Sequence, residues 1–80
     1  MKKPFSGELQ ALIDKAQTGS KEDIDIIMSH LTSESSFETT RYVDYALSLV
    51  INPDGFEQIK KYLFNGTLIQ RNYASLYLNR

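Results

Sequence analysis

Apolar residues recur along this chain at steps of three and four, in five blocks separated by short polar joints, and that is the period of amphipathic helices. Phe5, Leu9, Leu12, Ile13 and Ala16 share one face and predict a first helix over 7–18. Gly19 can close it in a left-handed turn. Ser20 then caps a second helix over 21–31, with Glu22 and Asp23 in the first turn, where the helix dipole favours negative charge. Its buried face is expected to be Ile24, Ile27, Met28 and Leu31, and its wet face Glu22, Asp25 and Ser29. Ser35 and Glu38 have the spacing of a capping box and predict a third helix over 36–51. Tyr42, Val43, Tyr45, Ala46, Leu47, Leu49, Val50 and Ile51 cover most of that helix, leaving a narrow stripe of Arg41, Asp44 and Ser48, so it is expected at the centre.

Asn52-Pro53-Asp54 ends the third helix and opens a fourth over 53–64, because Asn is a good N-cap and Pro suits the first helical position. Phe56, Ile59 and Leu63 should face inward. Gly66 is expected to repeat the role of Gly19, and Thr67 with Gln70 forms a second capping box. A fifth helix over 68–79 then turns Ile69, Tyr73, Leu76 and Tyr77 inward and Arg71, Asn72, Ser75 and Asn79 outward. The fold class predicted is therefore all-α: one helical domain over 1–80, its five short helices packed as antiparallel pairs around the third. Only 47–51 has the composition of a strand, and it lies inside a longer helical period.

Eighty residues leave room for one core, and 41% apolar with 24% charged residues is the composition of a folded chain rather than a disordered one. Without cysteine there is no disulfide, no thiolate zinc site and no cysteine nucleophile. No apolar run reaches the roughly 20 residues of a membrane span, and the start lacks the hydrophobic stretch of a signal peptide, so no membrane partner and a cytoplasmic location are expected. Net charge is −1. The halves differ, with four basic and seven acidic residues in 1–40 against five and three in 41–80, which makes the second half the one to weigh for nucleic acid.

Enzymatic chemistry finds little to stand on. His30 sits near the end of the second helix with no sequence-local acid to orient it, and a cation there suits the helix dipole. Glu22, Asp23 and Asp25 are first-turn charges without the spacing of a calcium loop. The glycines at 7, 19, 55 and 66 make no phosphate-cradling loop. No catalytic residue, metal ligand or cofactor is expected. Residues 53–79 have the outline of the helix-turn-helix of repressors, yet Tyr62 stands where that family wants a small residue, and Asn72 where it wants an apolar one. Arg41-Tyr42, Lys60-Lys61-Tyr62 and Arg71-Asn72-Tyr73 do pair cations with rings that could stack on bases.

In the last block Arg71 is followed three residues later by Ala74 and then by Leu78, and in this the hairpin over 53–80 resembles the short HEAT-like helical repeats. Gln70 and Tyr77 depart from that pattern, where a valine and a small residue are usual, and no second copy follows Arg41. The resemblance implies a stack of helix pairs, in a HEAT-like or orthogonal arrangement, whose exposed ridge binds another protein. The chain is then expected to be a unit or fragment of a longer helical array, or to self-associate. The leading expectation is a non-catalytic protein-protein interaction or scaffold domain with Lys60, Lys61, Arg71, Asn72, Ser75 and Asn79 as its contact face. Its partner is another protein or a second copy. The alternative is a small nucleic-acid-binding regulator that uses the basic, tyrosine-rich second half.

Overall fold

The computed structural model describes residues 7–79, the Glu8 side chain excepted, so Phe5 lies outside the described residues. Five helices follow one another, α1 (Gly7–Thr18), α2 (Lys21–Ser29), α3 (Phe37–Ser48), α4 (Pro53–Asn65) and α5 (Leu68–Leu78), and no strand occurs among the described residues. Side-chain caps fix the starts of α2, α3 and α5. The Ser20 hydroxyl accepts from the Asp23 N–H at 3.1 Å, and Thr67 and Gln70 satisfy each other's exposed N–H groups in a complete capping box. Gly19 ends the α1 joint at φ 66, the left-handed turn expected of it.

Several boundaries differ from the sequence expectation, those of α4 and α5 by a single residue. The cap of α3 is Ser36, which accepts from the Thr39 N–H at 3.0 Å, while Ser35 instead donates to the His30 carbonyl at 2.6 Å and accepts from the Thr32 N–H. Ser35 thus staples the α2–α3 loop. Helix α2 stops at Ser29 and α3 at Ser48, because the next N–H groups turn back three residues rather than four: His30 to Ile27, Leu31 to Met28, Leu49 to Ala46 and Val50 to Leu47. Gly66 is extended (φ −81, ψ 173), so the α4–α5 joint is not a copy of the joint at Gly19.

The core is built from Leu12, Ala16, Ile24, Ile27, Met28, Leu31, Val43, Ala46, Leu47, Val50, Ile59 and Ala74. All four positions expected inward on α2 are buried, and Glu22, Asp25 and Ser29 are exposed. Helix α3 is touched by α1, α2 and α5, and α2 by α1, α3 and α4, so two helices share the centre. Because α3 ends early, Ile51 falls past it and stands 92% exposed. Replacing Ile51 by serine should therefore change unfolding free energy by no more than about 0.5 kcal/mol in urea titrations. A larger loss would mean that the apolar surface of α3 extends to Ile51 as its helical pattern suggested.

Helices α4 and α5 pack mainly on each other. Ile59 and Ala74 are their fully buried side chains, while Tyr62, Leu63, Ile69, Tyr73 and Tyr77 pack half-buried around the core. Phe56 and Leu76, expected inward, lie at the edge and are substantially exposed; the Phe56 ring tilts against Tyr77 at 6.3 Å. Among the described residues no helix is long and apolar enough to cross a membrane.

Candidate interaction surface

Where α5 begins, it faces the end of α2 and the loop that follows. The Gln70 side chain, which already caps α5 through its oxygen, donates its amide to the Met28 carbonyl at 3.0 Å and so fixes the start of α5 against the last turn of α2. Between them lies an open groove of about 760 Å³, lined on one side by Ser29, Leu31, Thr32 and Ser33 and on the other by Thr67, Leu68, Ile69, Gln70 and Asn72. None of these residues is charged.

The polar lining is largely spoken for. Ser29 donates to the Ile26 carbonyl, Thr32 accepts from the Glu34 N–H and meets Ser35, Thr67 accepts from the Gln70 N–H, and Gln70 is held at both ends of its amide. The groove therefore offers a visitor apolar surface, from Leu68 and the half-buried Ile69, more than hydrogen bonds. At its rim Leu68, the first residue of α5, is 75% exposed, and Phe64, in the last turn of α4, is 69% exposed. Sequence reading passed over both. They were among the apolar residues left over when the inward faces of α4 and α5 had been assigned, and that remainder was the available signal.

The six residues expected to form a contact ridge take separate places. Asn72 lines the groove. Arg71 folds back to donate its Nε to the Gly66 carbonyl at 3.0 Å, and Asn79 donates to the Ser75 hydroxyl at 3.2 Å, so these three side chains are partly engaged within α5 and its joint. Lys60 and Lys61 are exposed on α4, and Lys61 borders a shallow cleft with Asp25, Gln58, Tyr62 and Asn65.

In that cleft one Asp25 oxygen accepts from the Tyr62 hydroxyl and from the Gln58 amide, both at 2.7 Å, which ties α2 to α4. Burial first, then the hydrogen bond to Asp25 and its charge, push the Tyr62 hydroxyl up to about 12 from its ordinary 10.0. The folded state thus keeps a proton that the unfolded chain releases, so this contribution is complete below pH 10 and is lost as pH rises through about 12. Tyr62→Phe should cost about 0.5–1.5 kcal/mol at neutral pH, the usual worth of one hydrogen bond. The gap between the two proteins should then close between pH 10 and 12 in chemical unfolding; a gap that persists above pH 12 would rule out the hydroxyl as its source.

On α3, Arg41 stacks over the 78% exposed Phe37 ring at 5.7 Å, and Arg41 also lines a second cleft with Leu9, Glu38, Tyr42 and Tyr45. Of the other two cation-and-ring pairs in the sequence, Tyr62 is bound to Asp25 and the Tyr73 ring packs against the core. Among the described residues no three His, Cys, Asp or Glu side chains converge as metal ligands would. No family model, no curated protein and no solved structure matches this chain.

Proposed function

We propose that this chain is a non-catalytic helical domain that binds another protein through the groove between the α2–α3 loop and α5. The observation that carries the reading is Leu68, three-quarters exposed at the rim of a groove whose lining holds no charge. Exposed apolar surface beside a recess is what protein partners bury, whereas nucleic acid is drawn first by cations. The loop wall of the groove is held in place by Ser35 and its α5 wall by Gln70, so little ordering is left for binding to supply. The full burial of Ala74, the small residue of the HEAT-like resemblance, also fits a repeat-like last hairpin.

Leu68→Asp tests this. An aspartate in the first turn suits the dipole of α5, and little buried surface is lost, so stability should stay within about 0.5 kcal/mol of the parent. Capture from a nuclease-treated native lysate should retain defined proteins with the parent chain and lose them with the variant. Partners that persist with the variant would overturn the groove as the contact face. Partners that vanish with nuclease, or with modest added salt, would favour the nucleic-acid reading, for which Arg41 with Phe37, Tyr42 and Tyr45 is the place where cation and rings stand together.

A further inference from the structure

We infer that Asn65 is a site of spontaneous covalent modification: the Gly66 main-chain nitrogen closes on its side chain, ammonia leaves, and water opens the resulting imide to aspartate or isoaspartate.

The reaction needs an asparagine with a free side-chain amide and a following residue that leaves room for the ring. Asn65 is the last residue of α4, it is exposed, and no hydrogen bond among the described residues holds its side chain. Glycine follows it, with no side chain to crowd the ring. The other three asparagines are unsuited. Asn52 donates to the Gly19 carbonyl and precedes Pro53, whose nitrogen has no proton to give up. Asn72 precedes Tyr73, whose ring packs against the core, and Asn79 donates to the Ser75 hydroxyl and precedes Arg80.

The fold keeps the labile pair together. A Cβ on residue 66 would stand 2.7 Å from the Tyr62 carbonyl oxygen and 3.0 Å from Gln70 Cβ, so the α4–α5 joint takes nothing larger than glycine without shifting. The same joint restrains the reaction, because the Gly66 N–H that must lose its proton donates to the Tyr62 carbonyl at 3.1 Å. This bond closes the last turn of α4, and helix ends fray. Attack therefore waits for that turn to open. Hydroxide from solvent takes the freed N–H proton, the nitrogen bonds to Asn65 Cγ, and the side-chain amide departs as ammonia. Water then adds to either imide carbonyl. Opening at the side-chain carbonyl gives aspartate; opening at the main-chain carbonyl gives isoaspartate, whose main chain is one carbon longer. Either product places a carboxylate in the cleft that Asn65 shares with Asp25 and Lys61, and isoaspartate also lengthens the joint that seats α5.

The experiment is peptide mass mapping of the purified full chain during incubation at mildly alkaline pH. Two controls run beside it: the parent in urea, and Asn65→Gln, whose longer side chain closes its ring far more slowly. The peptide that holds Asn65 should gain close to one mass unit, divided between aspartate and isoaspartate forms that chromatography separates. Peptides with the other asparagines, and Asn65→Gln, should keep their masses. In urea the parent should react roughly 2- to 10-fold faster, the retardation that one hydrogen bond supplies. Asp54-Gly55 can close a similar ring, but the cycle expels one water and takes up another, so its mass is unchanged and the signals stay separate. A folded chain whose Asn65 peptide keeps its mass would overturn the inference. So would a product that is aspartate alone, since the imide opens both ways, or equal loss at Asn52, Asn72 or Asn79. Equal rates with and without urea would overturn the restraint assigned to the α4 hydrogen bond.

Discussion

Gly19→Ala is expected to remove about 2–3 kcal/mol of stability, from about 1–2 for a side chain held in the left-handed region and about 1 for a hydrogen bond lost with it. Gly19 has φ 66, and a Cβ placed there would overlap the Asn52 side chain. Asn52 can step aside only by giving up the hydrogen bond in which its Nδ2 donates to the Gly19 carbonyl at 2.8 Å. Gly55 is closely packed as well, since a Cβ there would stand 2.5 Å from Val50 Cγ1 and 3.0 Å from Asn52 Oδ1. The α1–α2 joint and the start of α4 are thus locked through two glycines and one amide. Urea unfolding should report the loss. At about 0.05–0.15 kcal/mol per residue, 80 residues hold about 4–12 kcal/mol in all, so the fraction is large.

A double-mutant cycle separates strain from overlap. Asn52→Ala alone should cost about 1 kcal/mol for the lost hydrogen bond. In that background Gly19→Ala has nothing to displace, and its cost should fall to the backbone strain of about 1–2 kcal/mol. Coupling of less than about 0.5 kcal/mol between the two sites would mean that they act independently and that the lock does not exist.

This lock also marks the limit of what the chain could disclose as a string of residues. Asn52 is legible as the residue preceding Pro53 at the start of a helix, and it does occupy the N-cap position of α4. Its side chain, however, makes no cap hydrogen bond and reaches 33 residues back to Gly19. Periodicity and capping chemistry are local, and they recovered five helices because local rules govern where helices start. Helix ends were harder. Val50 continues the apolar pattern of α3 and is buried, yet it lies beyond the helix, since a turn closed at three residues keeps a side chain inward almost as well as one closed at four. Two adjacent serines defeated the capping rule: Ser35 has Glu38 three residues on and Ser36 has only Thr39, yet the loop makes Ser35 the staple and Ser36 the cap.

The groove was less legible than the fold. Its walls come from residues 29–33 and 67–72, nearly forty positions apart, and no spacing rule joins them. Ranking surface residues by polarity led to Lys60, Lys61, Arg71, Asn72, Ser75 and Asn79, of which Asn72 lines the groove. Charged and amide side chains are the ordinary content of a solvated helix face, and they signal contact less than exposed leucine and phenylalanine do.

Ile59→Ala should cost about 2–5 kcal/mol, as a buried isoleucine shortened to its first carbon leaves a cavity. Ile59 is fully buried, and among the largest fully buried side chains it comes from α4 while the others come from α1, α2, α3 and Leu31 just after α2. The last hairpin is otherwise joined to the rest by small Ala74, by half-buried Leu63, Ile69 and tyrosine rings, and by single hydrogen bonds: Gln70 to Met28, Tyr77 to Val50, and Tyr62 and Gln58 to Asp25. Amide exchange in Ile59→Ala should therefore rise in α4 and α5 before it rises in α2 and α3. Ile59→Val, which removes one methyl group, should cost only about 0.5–1.5 kcal/mol. A uniform rise across all five helices would mean that the hairpin is not a separable layer. Because α5 forms one wall of the groove, Ile59→Ala should lose binding together with stability, whereas Leu68→Asp should lose binding alone. That contrast distinguishes a residue that supports the surface from one that meets the partner.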